Sequence, residues 1–342
     1  MGSVGWAGWR DETGPDRPAI PSIPRGWVGT PVVDPVAHTL AGAALAKAGL
    51  ERRRPLALPT LLIGANLPDV DVAVYWWGET FALTFRRGWT HGVLALAVLP
   101  MLLTVLMLGW DRWVRRARNP AALPASPRAL LLLSAMAVAS HPLLDLLNVY
   151  GIRLLMPFSD RWFYGDVLFI VDPWFWLVLG AGAVLAGRRG NAAAARVAFL
   201  VFGVYVAAMA ASGLSSRRLI ARAVPGGRAS MERMMSGPVA LTPFRRWVVL
   251  EQADGYRVGE FDWLRTPRLR YDDMLAYPKG DHHPAVAALG SVPDARNFLS
   301  WARFPVFRVR EQPAGTDVEI VDLRYAVDAD AAFGALTVRV AR

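Results

Sequence analysis

The stretch AVASHPLLDLLNVYG, residues 137–151, contains a histidine and an aspartate, His141 and Asp145, within an otherwise largely apolar run. Residues four positions apart lie on one face of an α-helix, so these two side chains are expected to point in the same direction. The run is apolar enough to lie in a bilayer. An ionisable side chain there costs about 2.5–3.5 kcal/mol on insertion scales and usually marks a functional position. The stretch therefore predicts a membrane helix with a polar site on one face.

Further apolar blocks occupy the chain from about residue 36 to residue 214. A transmembrane helix needs about 20 apolar residues. Two blocks are weaker candidates, because 56–77 carries two aspartates and 36–50 is short and rich in small residues. We therefore predict a mainly α, polytopic bundle of about five to six transmembrane helices within residues 35–222. The blocks that satisfy the length requirement without reservation are 89–110, 128–150, 167–187 and 194–214.

The charge pattern fits a membrane protein better than a nucleic-acid-binding protein. The chain has 38 Lys and Arg against 28 Asp and Glu, a formal charge of +10. The basic residues gather in the gaps 51–54, 111–128 and 187–196, and no basic stripe is interleaved with aromatic residues. By the positive-inside rule these gaps are cytoplasmic. This predicts a multi-pass protein of the bacterial cytoplasmic (inner) membrane that contacts membrane lipids, and no nucleic-acid partner.

The histidines and aspartates in and next to the apolar blocks all lie toward the opposite, extracytoplasmic side. Because the chain has no cysteine, a metal ion would have to be held by histidine and carboxylate side chains. The pattern predicts a divalent metal site near the outer leaflet, with zinc as the first expectation and manganese or iron as alternatives. The histidines and aspartates that lie toward this side are His38, Asp69, Asp71, His91, His141, Asp145, Asp166 and Asp172.

Taken one at a time, several of these residues have a purely structural explanation. His38 and Asp69 stand where helix caps are common, and Asp172 precedes a proline, as at many helix starts. Elsewhere, the paired histidines at 282 and 283 are expected to be solvated in a loop. The combination of His91, His141 and Asp145 is harder to explain without a metal ion.

Five motifs follow one another in the membrane half: DPVAHTLAGAALA, GANLPDVD, RRGWTHGVLAL, SHPLLDLLNVYGIRLLMPFS and YGDVLFIVDPWFW. In this order they resemble the YdjM-like family of predicted membrane-bound metal-dependent hydrolases, over about residues 34–180. The resemblance implies a polytopic inner-membrane protein with a hydrolase site. The polar positions it implies as metal ligands are His38, Asp69, Asp71, His91, His141 and Asp145.

The chain departs from the family's pattern at Arg86, where many relatives carry a histidine. Arginine does not ligate metals in the usual way, so this difference argues against a second metal ion. Arg86 or Arg87 is instead expected to bind a phosphate group of the substrate.

These observations favour an integral-membrane metal-dependent hydrolase that acts on a phosphoester or lipid-linked substrate at the outer membrane–water boundary. A metal-bound water would be the nucleophile, and Asp71 or Asp166 is the expected general base. Two alternatives stay open. One is an ion-coupled membrane transporter that uses the same charges, and the other is a non-catalytic membrane scaffold with a structural metal.

The two ends of the chain have a different character from the apolar blocks. Residues 1–34 are polar and rich in proline and glycine, which predicts a flexible tail. Residues 232–342 contain segments with strand-like alternation, such as RRWVVLEQ and VEIVDLRY. We predict a small soluble α+β or β-rich domain there, on the extracytoplasmic side, that covers the mouth of the bundle or recognises a partner.

Overall fold

The computed structural model describes residues 34–52, 54–325 and 333–341, so the tail predicted for residues 1–34 lies outside it except for Asp34. Up to residue 223 the described chain is mostly helical. A 3₁₀ helix, Leu67–Trp77, follows α2, and π-helical segments, Ala46–Leu50 and Asp111–Arg115, extend α1 and α4. The α-helices are α1 (Pro35–Leu45), α2 (Ala57–Asn66), α3 (Glu79–Phe85), α4 (Val93–Trp110), α5 (Arg116–Arg118), α6 (Pro127–Leu146), α7 (Pro173–Arg189) and α8 (Ala193–Ala223).

Four helical stretches of the described chain are long and apolar enough to cross a membrane, namely 57–77, 93–118, 127–146 and 193–223. A mainly helical membrane half is thereby supported, whereas the predicted count of five to six spanning helices is not confirmed. The other two blocks give shorter helices. Helix α1 has 11 residues. Helix α7 has 17 because its block begins with an irregular segment, and Asp172 caps the helix just before Pro173. Both pack against α8 through buried apolar side chains.

The block 56–77 is not one α-helix, because α2 gives way to the 3₁₀ helix Leu67–Trp77. A 3₁₀ helix has three residues per turn, and its burial pattern follows that period. Pro68, Asp71 and Val74 form its buried row, and the row of Val70 and Trp76 is exposed. Eleven residues is long for this helix type, which favours a functional reason for it. The 3₁₀ helix turns Asp71 towards the interior of the bundle.

Small residues allow α2 to approach its neighbours closely, as in many membrane bundles. A Cβ atom added to Gly64 would lie 2.7 Å from the Cβ of Ala137 on α6, and one added to Gly42 of α1 would lie 2.6 Å from the carbonyl oxygen of Leu61. These contacts hold α1 and α6, which carry candidate site residues, against α2.

Gly64→Leu is therefore expected to destabilise the bundle by about 1–3 kcal/mol, the usual cost of overpacking a core. Thermal unfolding of the detergent-purified protein measures the effect as a lower midpoint. Gly203→Leu is the matched control, since an added Cβ at Gly203 of α8 meets nothing within 4 Å. Equal midpoints for the two variants would contradict the close α2–α6 contact.

The rest of the described chain forms two small antiparallel sheets, as predicted for a β-rich region. The first has the order β1-β2-β3-β4 and the second β5-β6-β7. They pack on each other through buried residues that include Trp247, Phe304 and Leu323. The boundary predicted at residue 232 stays a prediction. The strands are β1 (Arg233–Val239), β2 (Thr242–Gln252), β3 (Gly255–Asp262), β4 (Leu275–Tyr277), β5 (Pro305–Gln312), β6 (Gly315–Asp322) and β7 (Ala335–Val340), with helices α9 (Pro284–Ala287) and α10 (Pro293–Trp301) between the sheets.

The sheets are joined to the bundle through the irregular segment 147–172. Tyr150 and Ile170 of that segment belong to the same buried cluster as Trp301 and Val318 of the sheet region. The buried guanidinium of Arg324 donates to the carbonyl oxygens of Val149, Tyr150 and Trp301 and to the carboxylate of Asp322, at 2.7–3.2 Å. The segment directly after α6 is thus part of the core of the C-terminal region.

Candidate metal centre

Six candidate residues come together between four elements of the bundle. Helix α1 supplies His38, the 3₁₀ helix supplies Asp69 and Asp71, and helix α6 supplies His141 and Asp145, one turn apart. The sixth residue, His91, stands in the turn immediately before α4. All are buried except Asp69, whose side chain is 11% exposed.

The imidazoles of His91 and His141 face each other and one oxygen of each of two carboxylates. The Nε2 atoms of His91 and His141 lie 3.1 Å apart. The Oδ2 atom of Asp145 is 3.3 Å and 3.4 Å from these two nitrogens, and the Oδ1 atom of Asp69 is 3.9 Å and 3.7 Å from them. Ligand atoms of a tetrahedral site with bonds of about 2.0–2.1 Å are roughly 3.3–3.4 Å apart, so the spacing suits a metal ion.

A hydrogen bond fixes the tautomer of His141, and the contacts of His91 fit the same tautomer. The Nδ1 atom of His141 donates to the carbonyl oxygen of Ala65 at 2.7 Å. The hydroxyl oxygen of Thr90 lies 2.9 Å from a carboxylate oxygen of Asp71 and 2.9 Å from the Nδ1 atom of His91; when the hydroxyl donates to Asp71, the Nδ1 atom of His91 donates to it in turn. In a neutral imidazole the other nitrogen then carries a lone pair and no proton. This assignment follows from the hydrogen-bond network.

Two lone pairs and two carboxylates therefore face each other in a buried space. Such an arrangement is repulsive unless a cation lies between the atoms. The Oδ2 atoms of Asp69 and Asp145 are buried and make no hydrogen bond within the described chain. The donor set, two imidazoles and two carboxylates, is one that divalent zinc, manganese and iron accept.

His38 flanks this group as a second layer. Its ring stacks on that of His141 with 3.6 Å between centroids, and its Nε2 atom is 3.6 Å from the Oδ1 atom of Asp145. His38, His141 and Asp145 form a second set whose ligand atoms all lie within 4.8 Å of one another. His38 is thus placed to bind the other oxygen of Asp145, or an ion displaced towards it.

Two buried arginines close the site on the side of the carboxylates. The guanidinium of Arg86 donates to Asp71 at 3.2 Å and to Asp69 at 3.5 Å. The guanidinium of Arg87 pairs with Asp145 at 2.8 Å and lies over the ring of Tyr150. Three carboxylates and two guanidinium groups leave one negative charge when the histidines are neutral, and a divalent cation would change this to one positive charge.

The backbone at Arg87 is held in a conformation that non-glycine residues rarely adopt. Its φ is 51°, in the left-handed region, and such outliers are often found at functional sites. The amide of Arg87 donates to Asp71 at 3.1 Å, and its carbonyl oxygen accepts from the amide of Arg153 at 2.8 Å. The side chain of Arg153 also donates to the carbonyl oxygen of Arg86 at 3.1 Å. These bonds direct both arginines into the site.

The structure gives two predicted residues positions that differ from the predicted roles. Asp71 contacts the Nδ1 side of His91, at 3.4 Å, which favours an orienting role over a ligand role. Asp166 was expected as a general base, but its carboxylate is bound by Arg217 at 2.7 Å and by Arg303 at 3.0 Å. A base needs a free lone pair near its substrate. Asp166 therefore joins α8 to the sheet region instead.

Sequence reasoning missed Thr90, Tyr150, Arg153 and the carbonyl group of Ala65. Thr90 is adjacent to His91 in the motif RRGWTH, and its position was the available signal. A backbone carbonyl leaves no signal in the sequence. The ring of Tyr150 lies under the guanidinium group of Arg87. Burial raises the pKa of Tyr150 to about 12, so its phenol stays protonated beside Arg87.

The family model of the YdjM inner membrane protein matches residues 33–214, which is more than half of the 342 residues. The chain belongs to the YdjM inner membrane protein family. The matched range contains every residue of the candidate centre and ends before the two sheets. With the four apolar helices, it shows that the chain is a membrane protein. No curated protein and no solved structure matches the chain.

The position of Asp71 behind His91 predicts that replacing Asp71 weakens metal binding in this YdjM family member without abolishing it. Asp71→Asn is expected to weaken metal binding about 10–100-fold, the usual effect of losing a partner that orients a ligand. Metal-binding titration of the purified protein measures the change, with the exposed Asp160→Asn as control. If Asp71→Asn abolished binding altogether, Asp71 would be a direct ligand.

Proposed function

We propose that this chain is an integral-membrane metal-dependent hydrolase that acts on a phosphoester or lipid-linked substrate at the membrane–water boundary. One observation carries the proposal: the Nε2 atoms of His91 and His141 lie 3.1 Å apart, and each lies 3.3–3.9 Å from an oxygen of Asp145 and an oxygen of Asp69. A site of this kind on the extracytoplasmic side would meet the headgroups of the outer leaflet.

In this proposal His91, His141 and Asp145 hold the ion, with zinc as the first expectation and manganese or iron as alternatives, and a coordination position would stay open for water. When bound, such an ion supplies Lewis acidity and lowers the pKa of a coordinated water towards neutrality. The second layer consists of Asp71, which orients His91, and His38, which supports Asp145.

The two arginines provide a place for an anionic group. Arg86 pairs with Asp69 and Asp71, and Arg87 pairs with Asp145, so both guanidinium groups lie beside carboxylates of the centre. Once a dication neutralises those carboxylates, the guanidinium groups gain attraction for a phosphate, which arginine binds in a fork geometry. Arg87 also has an Nε atom that is buried and makes no hydrogen bond within the described chain. This favours a phosphoester over a neutral ester or an amide.

Asp69 is the residue best placed to handle a proton. Its Oδ1 atom faces the two histidines, whereas its Oδ2 atom makes no hydrogen bond within the described chain. A carboxylate with one free oxygen next to the reacting water is suited to general-base work. Its 11% exposed side chain also marks the direction from which a substrate would arrive.

The experiment is a hydrolysis assay in lipid nanodiscs. The protein is freed of metal and reloaded separately with zinc, manganese or iron, and each form is offered phosphatidic acid, phosphatidylglycerol, a polyprenyl diphosphate and the soluble p-nitrophenyl phosphate. Hydrolysis that needs the metal and is lost in His91→Ala supports the proposal. Stoichiometric metal without hydrolysis of any of these would contradict it.

Burial favours a second candidate, a scaffold with a structural metal. The histidines and Asp71, Asp145, Arg86 and Arg87 are all nearly inaccessible to solvent. A structural site has a closed ligand shell. Exchange of a metal-bound water, measured by paramagnetic relaxation of the manganese form, distinguishes the hydrolase from the scaffold. A closed ligand shell holds no exchangeable water. Uptake into sealed vesicles that depends on Asp69 or Asp145 would instead indicate the ion-coupled transporter.

A further inference from the structure

Two loops at one end of the first sheet expose large apolar side chains next to each other. The turn from β1 to β2 contains Leu241, and Phe244 follows at the start of β2. The loop after β3 contains Leu264, and the amide of Trp263 donates to the carbonyl oxygen of Phe244 at 2.9 Å. Leu241, Phe244 and Leu264, here called the apolar tip, are 70%, 48% and 75% exposed.

The apolar tip lies beside two helices of the bundle. The indole nitrogen of Trp174, the second residue of α7, donates to the carbonyl oxygen of Leu241 at 3.3 Å. The indole nitrogen of Trp263 donates to the hydroxyl of Ser212 on α8 at 2.8 Å. Tryptophan is enriched where membrane helices meet the headgroups. The tip is therefore tied to the end of the bundle at which α7 begins.

The length and the apolar face of α8 indicate how deep these contacts lie in the membrane. The helix has 31 residues, which is about 46 Å, whereas the hydrocarbon core is about 30 Å thick. Its exposed apolar face runs from Val197 to Leu214, and Arg217 and Arg218 follow. The hydrocarbon boundary thus falls close to Ser212. The tip, held at Ser212, is at the depth of the interface.

The charges around the tip match a lipid surface. Arg245 and Arg265 directly follow Phe244 and Leu264 in the chain, and both are exposed, as is Arg218 of α8. Two carboxylates lie near this pair and are largely covered: Asp262 is 3.6 Å and 3.4 Å from the two guanidinium groups, and Glu260 is 3.6 Å from that of Arg245. Apolar side chains flanked by arginines are typical of segments that insert at the headgroup level and attract anionic lipids.

We infer that the apolar tip inserts into the leaflet at which α7 begins and α8 ends, so that the bilayer itself is the partner of this edge of the sheet. The C-terminal region is then held to the membrane at a second place, besides its contacts with segment 147–172. Strand β2 leads away from the tip for 11 residues, roughly 35 Å. The turn at its far end, which contains Asp254, lies in water.

The chain has no cysteine, so one introduced cysteine can be labelled without background. Leu241→Cys, Leu264→Cys and, as control, Asp254→Cys are each labelled with an environment-sensitive fluorophore. The full-length proteins are reconstituted into vesicles of phosphatidylcholine with a minority of phosphatidylglycerol. Half of the samples contain a lipid with a nitroxide quencher at the top of the acyl chain. Thermal unfolding checks that each variant is folded, and Phe244→Cys replaces a variant that is not.

We expect the labels at the tip to show emission at shorter wavelength and to lose intensity when the quencher lipid is present, while the label at position 254 does neither. The inference is overturned if the tip labels are as water-exposed and as unquenched as the control. It is equally overturned if all the labels are quenched to the same degree, because the sheet would then lie flat on the surface.

Discussion

Asp145→Asn is expected to abolish metal retention and to lower turnover by roughly 10³-fold, because a metal supplies several kcal/mol of transition-state stabilisation. Asp145 contacts both histidines of the centre and one of its arginines. It lies 3.3 Å and 3.4 Å from the Nε2 atoms of His91 and His141, and it pairs with Arg87 at 2.8 Å. Asparagine keeps the size of the side chain and removes the charge that balances both the ion and the guanidinium group.

Asp172→Asn is the matched control for this variant. Asp172 is also a buried aspartate next to the bundle, but it caps α7 by accepting from the amides of Trp174 and Phe175. Asparagine caps helices as well as aspartate does, so metal content and turnover are expected to stay at the wild-type level. Metal retained by Asp145→Asn would contradict the ligand set.

Arg324→Ala is expected to have the largest effect on stability, with a loss of about 3–5 kcal/mol, because it leaves the buried carboxylate of Asp322 with backbone amide donors but without its cationic partner. The guanidinium and the carboxylate are both inaccessible to solvent. The same side chain donates to carbonyl oxygens of Val149 and Tyr150, in the segment that follows α6. We therefore expect the sheet region to open, and limited proteolysis and thermal unfolding measure this.

Arg339→Ala is the control, because it removes an ion pair that is exposed rather than buried. Arg339 pairs with Asp317 on the surface of the second sheet. Exposed pairs contribute little, so neither the unfolding midpoint nor the cleavage pattern is expected to change. If Arg324→Ala behaved like Arg339→Ala, the sheets would not depend on segment 147–172.

Much of the candidate centre could be predicted from the sequence, because burying charge in an apolar segment is costly. His91, His141, Asp69 and Asp145 each stand out in a run of apolar residues, and these four converge. The spacing of His141 and Asp145 was sufficient to place them on one face of α6. Whether the centre is extracytoplasmic stays a prediction from the arginine-rich gaps.

The sequence was less informative where backbone geometry decides the outcome. Hydropathy counted 56–77 as one block, whereas the 3₁₀ helix after Asn66 decides which way Asp69 and Asp71 face. Hydropathy also predicts that 167–187 is long enough to span the membrane, whereas α7 begins only at Pro173 and is therefore shorter. The position of Asp71 behind His91 involves a side-chain hydroxyl, that of Thr90, and such contacts leave no periodic pattern.

Asp166 shows a further limit of reading residues by their position in an apolar block. Its place at the start of the block 167–187 suggested a membrane site, but its partners Arg217 and Arg303 come from distant parts of the sequence. Pairings between residues more than 50 positions apart cannot be read from local composition. The same holds for the contacts of Arg324 with the segment after α6.

The central claim is that this centre binds a metal ion through two imidazole nitrogens, and elemental analysis of the detergent-purified protein tests it most directly. Wild type, His141→Ala and the surface variant His283→Ala are purified side by side and reloaded with zinc, manganese or iron. The account predicts close to one metal ion per chain in wild type and in His283→Ala, and almost none in His141→Ala. Equal metal content in all three proteins, or none in wild type after reloading, would contradict it.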